Sequence, residues 1–129
     1  MIQEKNRVPS MQLSHLFRNP EFFIPFRAGD VVFKEGDPGN VMYVVIEGEV
    51  NIVVHNKVVE TIGPENFLGE MALIDEQPRS ASAVAKTDCK LAPINHARFN
   101  FLTQQTPHFA LHLMRVMADR LRHRSEMIS

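Results

Sequence analysis

One short segment, residues 67–83, combines residue types that bind an anion; its sequence is FLGEMALIDEQPRSASA. Gly69 has no side chain, so the backbone there can approach a ligand closely. Residues 70–73 are expected to form a single helical turn. The first N–H groups of such a turn have no partner within the helix and favour a negative charge. The segment therefore predicts an anion site.

The residues that follow this turn suggest which anion is bound. Pro78 cannot continue a helix, so an extended segment should begin at Arg79 and Ser80. Their guanidinium and hydroxyl can converge on one phosphate. Glu70 would repel that phosphate, so we expect it to accept a hydrogen bond from a ribose hydroxyl, and a contact with Arg79 would hold both groups in one geometry. Phosphate and sugar together describe a nucleotide; the alternative is an ordinary surface turn with an exposed arginine and glutamate.

The order of these residues resembles a known motif. The run FLGEMALI followed by PRSASA is similar to the phosphate-binding cassette of the cyclic-nucleotide-binding domain family. That family includes the catabolite activator protein, regulatory subunits of protein kinase A and nucleotide-gated channels. Four upstream segments resemble the glycine-marked strands of the same domain, namely FRAGD at 26–30, FKEGD at 33–37, MYVV at 42–45 and EGEV at 47–50. The resemblance extends from about residue 13 to residue 128.

The resemblance implies a mainly β fold with flanking helices. This would be a small double-stranded β-barrel, or jelly roll, with an inserted phosphate-binding helical turn and a long C-terminal helix. It implies a ligand site formed by Phe67, Gly69, Glu70, Met71, Ala72, Arg79, Ser80, Ala81 and Ser82. Cyclic AMP is the expected ligand, by analogy with adenine-selective relatives that have a similar Arg-Ser-Ala arrangement, and cyclic GMP is the alternative.

Family members often cover the purine with a residue near the end of the last helix. In this chain Arg124 falls in that region, as do Arg122 and Ser125. A guanidinium can stack on a base. A solvated helix end that contains Arg120, Arg122, His123 and Arg124 would have the same sequence.

Composition restricts the class of protein. A chain of 129 residues with 44% hydrophobic and 22% charged residues is expected to form one globular domain. The net charge of -1 and the pI of about 6.6 argue against a DNA-binding surface. A single cysteine, Cys89, favours a reducing compartment, and we found no signal peptide or membrane span, so we expect a cytoplasmic protein without a membrane partner.

The predicted elements divide the domain, residues 1–129, into three parts. Residues 1–25 form a helical lead-in with Met11, Leu13, Leu16 and Phe17 on one face, and residues 26–94 form the barrel. Within the barrel we expect residues 44–46 to pair with residues 50–54 across the Glu47-Gly48 turn. A second hairpin should turn at His55-Asn56, and residues 79–85 and 89–94 should form two more strands.

Residues 95–129 are predicted to form the C-terminal helices. Asn95 suits an N-cap for a short helix at 96–103, and Pro107 suits the first turn of the last helix. That helix has two stripes of side chains, one formed by Ala110, Met114, Met117, Leu121, Arg124 and Ile128 and the other by Phe109, Leu113 and Val116. One stripe should pack on the barrel, and the other could form a homodimer. A helix buried on one broad face is the alternative.

The residues therefore predict a sensor without catalytic activity or cofactor that reports a bound cyclic nucleotide to an unknown effector. The chain ends at Ser129, where the DNA-binding domain of the bacterial regulators would begin, so direct DNA binding is not expected and a truncated regulator is an alternative. A metal-dependent cupin would need clustered histidines in the barrel, where only His55 occurs; His108 and His112 lack the glutamate of a metalloprotease motif. The last alternative is an interaction module of this fold without a ligand.

Overall fold

The computed structural model describes residues 16, 17, 19–75 and 77–128; for residue 121 and residues 123–128 it describes only the helical backbone. Met11 and Leu13 of the predicted lead-in helix lie outside these residues. The elements are a 3-10 helix at Pro20–Phe22, strands β1 (Ile24–Phe26), β2 (Val31–Phe33), β3 (Met42–Glu47), β4 (Val50–Val54), β5 (Lys57–Ile62), β6 (Phe67–Leu68), β7 (Ser82–Ala85) and β8 (Cys89–Ile94), and helices α1 (Met71–Ile74), α2 (His96–Gln105) and α3 (Pro107–Ile128).

The strands form two four-stranded antiparallel sheets, with the orders β1-β8-β3-β6 and β2-β7-β4-β5. Successive strands cross repeatedly from one sheet to the other, as in a jelly roll. The predicted fold class is thus confirmed, although the two sheets form a sandwich and do not close into a barrel. The segment between β6 and β7, which contains the predicted anion site, connects the two sheets at one end of this sandwich.

Strands β3, β6 and β8 of the β1-β8-β3-β6 sheet have buried residues on both faces. Val44 and Phe67 pack with the C-terminal helices, whereas their neighbours Val45 and Leu68 pack against the other sheet. Adjacent residues in a strand point to opposite faces, so a strand between two apolar layers needs consecutive hydrophobic residues. This explains the unbroken apolar run of β3.

The predicted hairpin between residues 44–46 and 50–54 is wrong. β3 pairs with β6 and β8, whereas β4 pairs with β5 and β7, so these two strands belong to different sheets. Gly48 lies between them with φ at 83°, and a Cβ atom on it would lie 2.8 Å from the Cα of Cys89. Glycine therefore lets the chain pass close to β8 as it crosses between the sheets.

The second predicted hairpin is confirmed. β4 and β5 pair from Val54 and Lys57 to Val50 and Ile62, with one register shift between Ile52 and Val53. His55 and Asn56 both have positive φ, at 49° and 66°, as a two-residue turn that follows the strand twist requires.

Both C-terminal helices begin where the sequence predicts. The side chain of Asn95 accepts a hydrogen bond from Arg98 N at 2.8 Å, which caps α2, and Pro107 begins α3. Of the two predicted stripes on α3, the one with Phe109, Leu113 and Val116 packs on the sandwich, and Met117 of the other stripe packs there as well. Met114 on the other stripe is 59% exposed. None of the helices within the described part of the chain has the length and apolar character needed to cross a bilayer.

Candidate functional site

The segment between β6 and β7, residues 69–81, contains the helical turn α1. We call it the cassette. The turn begins one residue later than predicted, with Glu70 as its N-cap, and Ala72 N and Leu73 N donate to Gly69 O and Glu70 O at 3.2 and 3.0 Å. Ala72 is buried and anchors the turn, whereas Met71 is exposed. Leu73 is partly buried and packs against the core, so Ala72 and Leu73 together hold the turn against the sandwich.

Arg79 is the buried charged residue of the cassette, with 9% of its surface exposed. Its backbone is bonded to the loop after β2, because Arg79 N donates to Asp37 O at 2.8 Å and Arg79 O accepts from Gly36 N at 2.7 Å. Its guanidinium donates through Nη1 to Gly69 O at 3.2 Å and through Nη2 to Val41 O at 2.7 Å. These bonds fix both the position and the direction of the cation.

Packing further restricts the guanidinium of Arg79. Its Cζ lies 4.0 Å from the centroid of the Phe33 ring, in a cation–π contact. Two glycines leave room for the guanidinium. A Cβ atom at Gly39 would lie 2.6 Å from Arg79 Cζ, and one at Gly69 would lie 2.6 Å from Arg79 Nη1. Both positions therefore need glycine for the arginine to occupy this place. Phe33 and Gly39 were not predicted to belong to the site, because they are far from Arg79 in the sequence and contact it only in the folded chain.

The charge of Arg79 is not compensated within the described residues. Arg79 has no ion pair with a described carboxylate, and its Nε is buried without a hydrogen-bond partner there. Burial lowers the pKa of the guanidinium, while Tyr43 and Asp37 act to raise it. A buried cation without a counter-charge is destabilising, whereas the same cation beside an anionic ligand is not. Arg79 is thus arranged to receive an anion.

A cavity of about 250 Å³ lies beside Arg79. It is slightly smaller than the range of about 300–1,000 Å³ that is typical of small-molecule sites. The predicted residues Gly69, Glu70, Met71, Ala72, Arg79, Ser80 and Ala81 all line it. Its other walls are formed by Phe33, Ile52, Glu60, Ile62, Leu68, Asp75, Gln77 and Pro78. The cavity combines an anion-binding end with largely apolar walls.

Glu70 pairs with the C-terminal helix instead of with Arg79, so the expected Glu70–Arg79 contact is absent from the described structure. Glu70 Oε1 lies 3.0 Å from Arg120 Nη1, and the two side chains are 19% and 20% exposed. Arg120 also donates through Nη2 to Phe67 O, and its Cζ lies 4.6 Å from the Phe67 ring centroid. The Arg79 guanidinium instead donates to the carbonyls of Gly69 and Val41.

Arg120 was missed as a site residue, although the sequence contained a signal for it. It follows Val116 by four residues and so continues the stripe of Phe109, Leu113 and Val116 that packs on the sandwich. An arginine in that position has to face the protein. We instead expected Arg120 to belong to the solvated end of the helix.

Two other predicted residues, Phe67 and Ser82, do not line the cavity. Phe67 is fully buried in the core, and the Ser82 hydroxyl accepts from Glu35 N at 2.9 Å. The side chains of Arg124 and Ser125, both considered as a cover for the base, lie outside the described residues. Arg122 is exposed and pairs with Asp119.

No group of three or more histidine, cysteine, aspartate or glutamate side chains within the described residues could hold a metal ion. His55 lies in the β4–β5 turn, where its Nε2 is 3.5 Å from Glu35 Oε2. Cys89 is buried, and burial together with Asp88 and Asp30 raises the pKa of its thiol. The described site is therefore a binding cavity with one strong cation.

Comparison with known proteins agrees with this geometry. Residues 23–106 match the family model for the cyclic nucleotide-binding domain. The chain is 41% identical over 83 residues to a cyclic nucleotide-gated potassium channel of Mesorhizobium japonicum, a match that covers 64% of this chain and 23% of the channel. It is 40% identical over 80 residues to the cAMP-dependent protein kinase regulatory subunit of Schizosaccharomyces pombe, with coverage of 61% and 19%.

A solved structure has the same fold. The catabolite activator protein of Thermus thermophilus superposes with a TM-score of 0.72 and 32% identity, over 82% of this chain and 52% of that chain. The matched region spans only about a fifth to a quarter of the length of the channel and the kinase subunit, at 23% and 19%. The similarity therefore concerns the binding domain, not the complete activity of either protein.

Proposed function

This chain belongs to the cyclic nucleotide-binding domain family, and we propose that it is a sensor that binds a cyclic purine nucleotide and reports its presence through α3. The observation that carries this proposal is Arg79, a buried cation without a described carboxylate partner at the end of a cavity. A phosphodiester supplies the missing negative charge. No catalytic step is proposed, because the family is defined by binding.

Each part of the nucleotide has a partner in this proposal. The phosphate lies against the Arg79 guanidinium and the first amides of α1, with Ser80 and Ala81 at its side. The ribose hydroxyl donates to Glu70. The base occupies the part of the cavity with apolar walls, which include Ile52, Ile62 and Leu68. Arg124 remains a proposal for the residue that covers the base.

The contact between Glu70 and Arg120 supports the proposed route of signalling. Glu70 belongs to the cassette and Arg120 to α3, and they are joined at 3.0 Å. A ribose hydroxyl that donates to Glu70 would share its carboxylate with Arg120, so we propose that the ligand and α3 are coupled through this one side chain. Such coupling requires that the ligand bind differently to the two positions of the helix.

The output of the sensor requires a partner. Met114 and Leu111 on α3 and Phe101 on α2 are large, exposed apolar side chains. We propose that the stripe with Met114 packs against a second copy of the chain or against an effector protein. Direct DNA binding is not proposed, in view of the net charge of -1. A cytoplasmic location stays a prediction from the single cysteine.

The ligand expected from sequence resemblance is cyclic AMP. Of the two relatives described above, the fission-yeast protein is named for cAMP, while the channel's name specifies only a cyclic nucleotide. Phosphate and ribose contacts are common to cyclic AMP and cyclic GMP, so Arg79 and Glu70 support both ligands equally. The choice between them depends on the wall of the cavity that faces the base.

Calorimetric titration of the purified chain tests this function directly. Cyclic AMP and cyclic GMP are titrated separately, and the open-chain 5′-monophosphates serve as controls for phosphate recognition alone. We expect saturable binding of one cyclic nucleotide and thermal stabilisation by it. An absence of both binding and stabilisation with either cyclic nucleotide would refute the sensor and favour an interaction module without a ligand.

A further inference from the structure

We propose that β5 forms a symmetric antiparallel contact with β5 of a second copy of this chain, centred on Val58 and Val59. The contact does not involve the cassette or α3, so the inference does not rest on the proposed function. β5 is the last strand of the β2-β7-β4-β5 sheet, and among the described residues it pairs with β4 alone. Its other edge therefore presents backbone N–H and C=O groups to a partner.

β5 differs from the other three strands at the edges of the two sheets. β1 and β2 have three residues each and β6 has two, and such short edge strands offer little backbone for pairing. β5 has six residues, and the first five are exposed. Two of them are the adjacent valines Val58 and Val59, which are 58% and 60% exposed. A long edge strand with exposed apolar side chains is suited to burial by another strand.

A β-bulge decides which side chains of β5 share a face. Across the ladder Lys57 pairs with Val54. Glu60 pairs with Ile52, so Val59 is an extra residue in β5. Val54 and Ile52 are two apart in β4 and share a face, and residues opposite each other in an antiparallel ladder also share a face. Lys57 and Glu60 therefore lie on one face of the sheet, on either side of the two valines.

Two copies of this segment are complementary when they run antiparallel. A two-fold axis perpendicular to the sheet keeps each side chain on its own face, so residues that lie opposite each other must come from the same face. Lys57 and Glu60 meet this condition, and Lys57 of each copy then lies opposite Glu60 of the other. The valines of both copies meet at the axis between these two pairs. Opposite charges stabilise such a cross-strand pairing, whereas like charges destabilise it.

Charge complementarity identifies the partner as a second copy of the chain. Neither Lys57 nor Glu60 forms an ion pair within the described part of the chain, so both charges are available to the other copy. The order of positive charge, two valines and negative charge matches itself when it is reversed. One strand from each copy makes a contact smaller than the standard interface of about 1,600 Å², so we expect a weak dimer that depends on concentration.

Sedimentation equilibrium of the ligand-free chain over a range of concentrations tests this contact. We expect wild type to dimerise reversibly. Lys57→Glu and Glu60→Lys should each raise the dimer Kd by about tenfold, because two symmetry-related attractive pairs become repulsive. The double variant Lys57→Glu/Glu60→Lys has opposite charges in the reverse order and should recover most of the lost affinity. Arg27→Glu and Glu21→Lys are the matched controls, since they make the same charge changes at exposed positions outside β5, and they should leave the Kd unchanged.

Three results would overturn the inference. A wild-type chain that stays monomeric at every concentration would mean that the bulge protects this edge from pairing. A dimer that responds to Lys57→Glu and Glu60→Lys no more than to the two controls would place the contact elsewhere, for example on α3. Weakening in both single variants without recovery in the double variant would exclude a direct pair between these residues. Circular dichroism of each variant separates a lost dimer from a lost fold, and no ligand is present, so the results do not depend on nucleotide binding.

Discussion

Arg79 and Arg120 both contact the segment of residues 67–70, and their surroundings differ in charge pairing and in burial. Arg120 has a carboxylate partner, Glu70, at 3.0 Å, whereas Arg79 is bonded to two backbone carbonyls and stacked on Phe33. Arg79 is also the more buried, with 9% of its surface exposed. The region around β7 therefore holds an uncompensated charge, and the region around α3 holds a compensated one.

This difference indicates how the two regions respond to a ligand. An anion that binds beside Arg79 adds a favourable interaction without breaking an ion pair. A group that binds to Glu70 must share or replace the contact with Arg120. The first region supplies affinity, and the second links the ligand to the helix.

The largest effect is expected for Arg79→Ala. Loss of the charged partner of the phosphate should cost about 2–5 kcal/mol of binding free energy, which is an increase in Kd of about thirtyfold to several thousandfold. Titration of the variant with the wild-type ligand measures it. Arg27→Ala is the control, because Arg27 is exposed and does not line the cavity. A folded Arg79→Ala protein with unchanged affinity would mean that Arg79 does not bind the phosphate.

The next effect concerns the position of Arg79, not its charge. In Gly39→Ala the new methyl group would lie 2.6 Å from Arg79 Cζ, so the guanidinium must move away from Val41 O. We expect a loss of about 1–3 kcal/mol of binding free energy with little change in the unfolding midpoint, because the end of a long side chain moves at low cost. Gly63→Ala provides the comparison, since a Cβ atom there meets nothing within 4 Å. Equal affinities in the two variants would show that the exact place of the guanidinium is unimportant.

Glu70→Gln should have a smaller effect on binding. The amide oxygen still accepts from a ribose hydroxyl, so we expect a loss of about 1 kcal/mol, measured by the same titration. A loss greater than that of Arg79→Ala would reverse the roles assigned to the two residues. Glu21→Gln controls for the change in net charge.

The smallest effect is the coupling between Glu70 and Arg120 in the ligand-free protein. A double-mutant cycle of Glu70→Gln and Arg120→Met in urea unfolding should give an interaction free energy of about 0.5–1 kcal/mol, because both side chains are partly exposed. The single variant Arg120→Met and the double variant both lose the hydrogen bond to Phe67 O, so its contribution to the free energy cancels in the cycle. Additive single effects would mean that the ion pair does not connect the cassette to α3.

Local patterns predicted most of the elements. The His55-Asn56 turn, the Asn95 cap and Pro107 were assigned correctly because each depends on the conformation of a few adjacent residues. The β3–β4 pairing was wrong because strand pairing is decided by distant partners. An apolar run such as 42–46 does not reveal which sheet it joins.

The candidate site likewise combines residues that the sequence predicts with residues that only the fold reveals. Sequence order alone predicted Gly69, Glu70, Arg79 and Ser80, which line the cavity, since the segment between β6 and β7 contains all four. Arg120, Gly39 and Glu60 are far from the cassette in sequence, and only folding brings them to it or to its cavity. The spacing of Arg120 from Val116 indicates that it faces the sandwich, but it does not reveal that Glu70 and Phe67 are its partners there.

The sequence by itself determined the chemistry of the cassette, the two-residue turn of β4–β5 and the starts of the C-terminal helices. Each is encoded by residues that are neighbours along the chain, where steric limits and local hydrogen bonds decide the conformation. The tertiary structure alone decided that Arg79 is left without a described counter-charge while Glu70 pairs with Arg120. Burial and charge pairing depend on which distant segments pack together, here the loop after β2 that bonds to Arg79 and the helix α3 that carries Arg120.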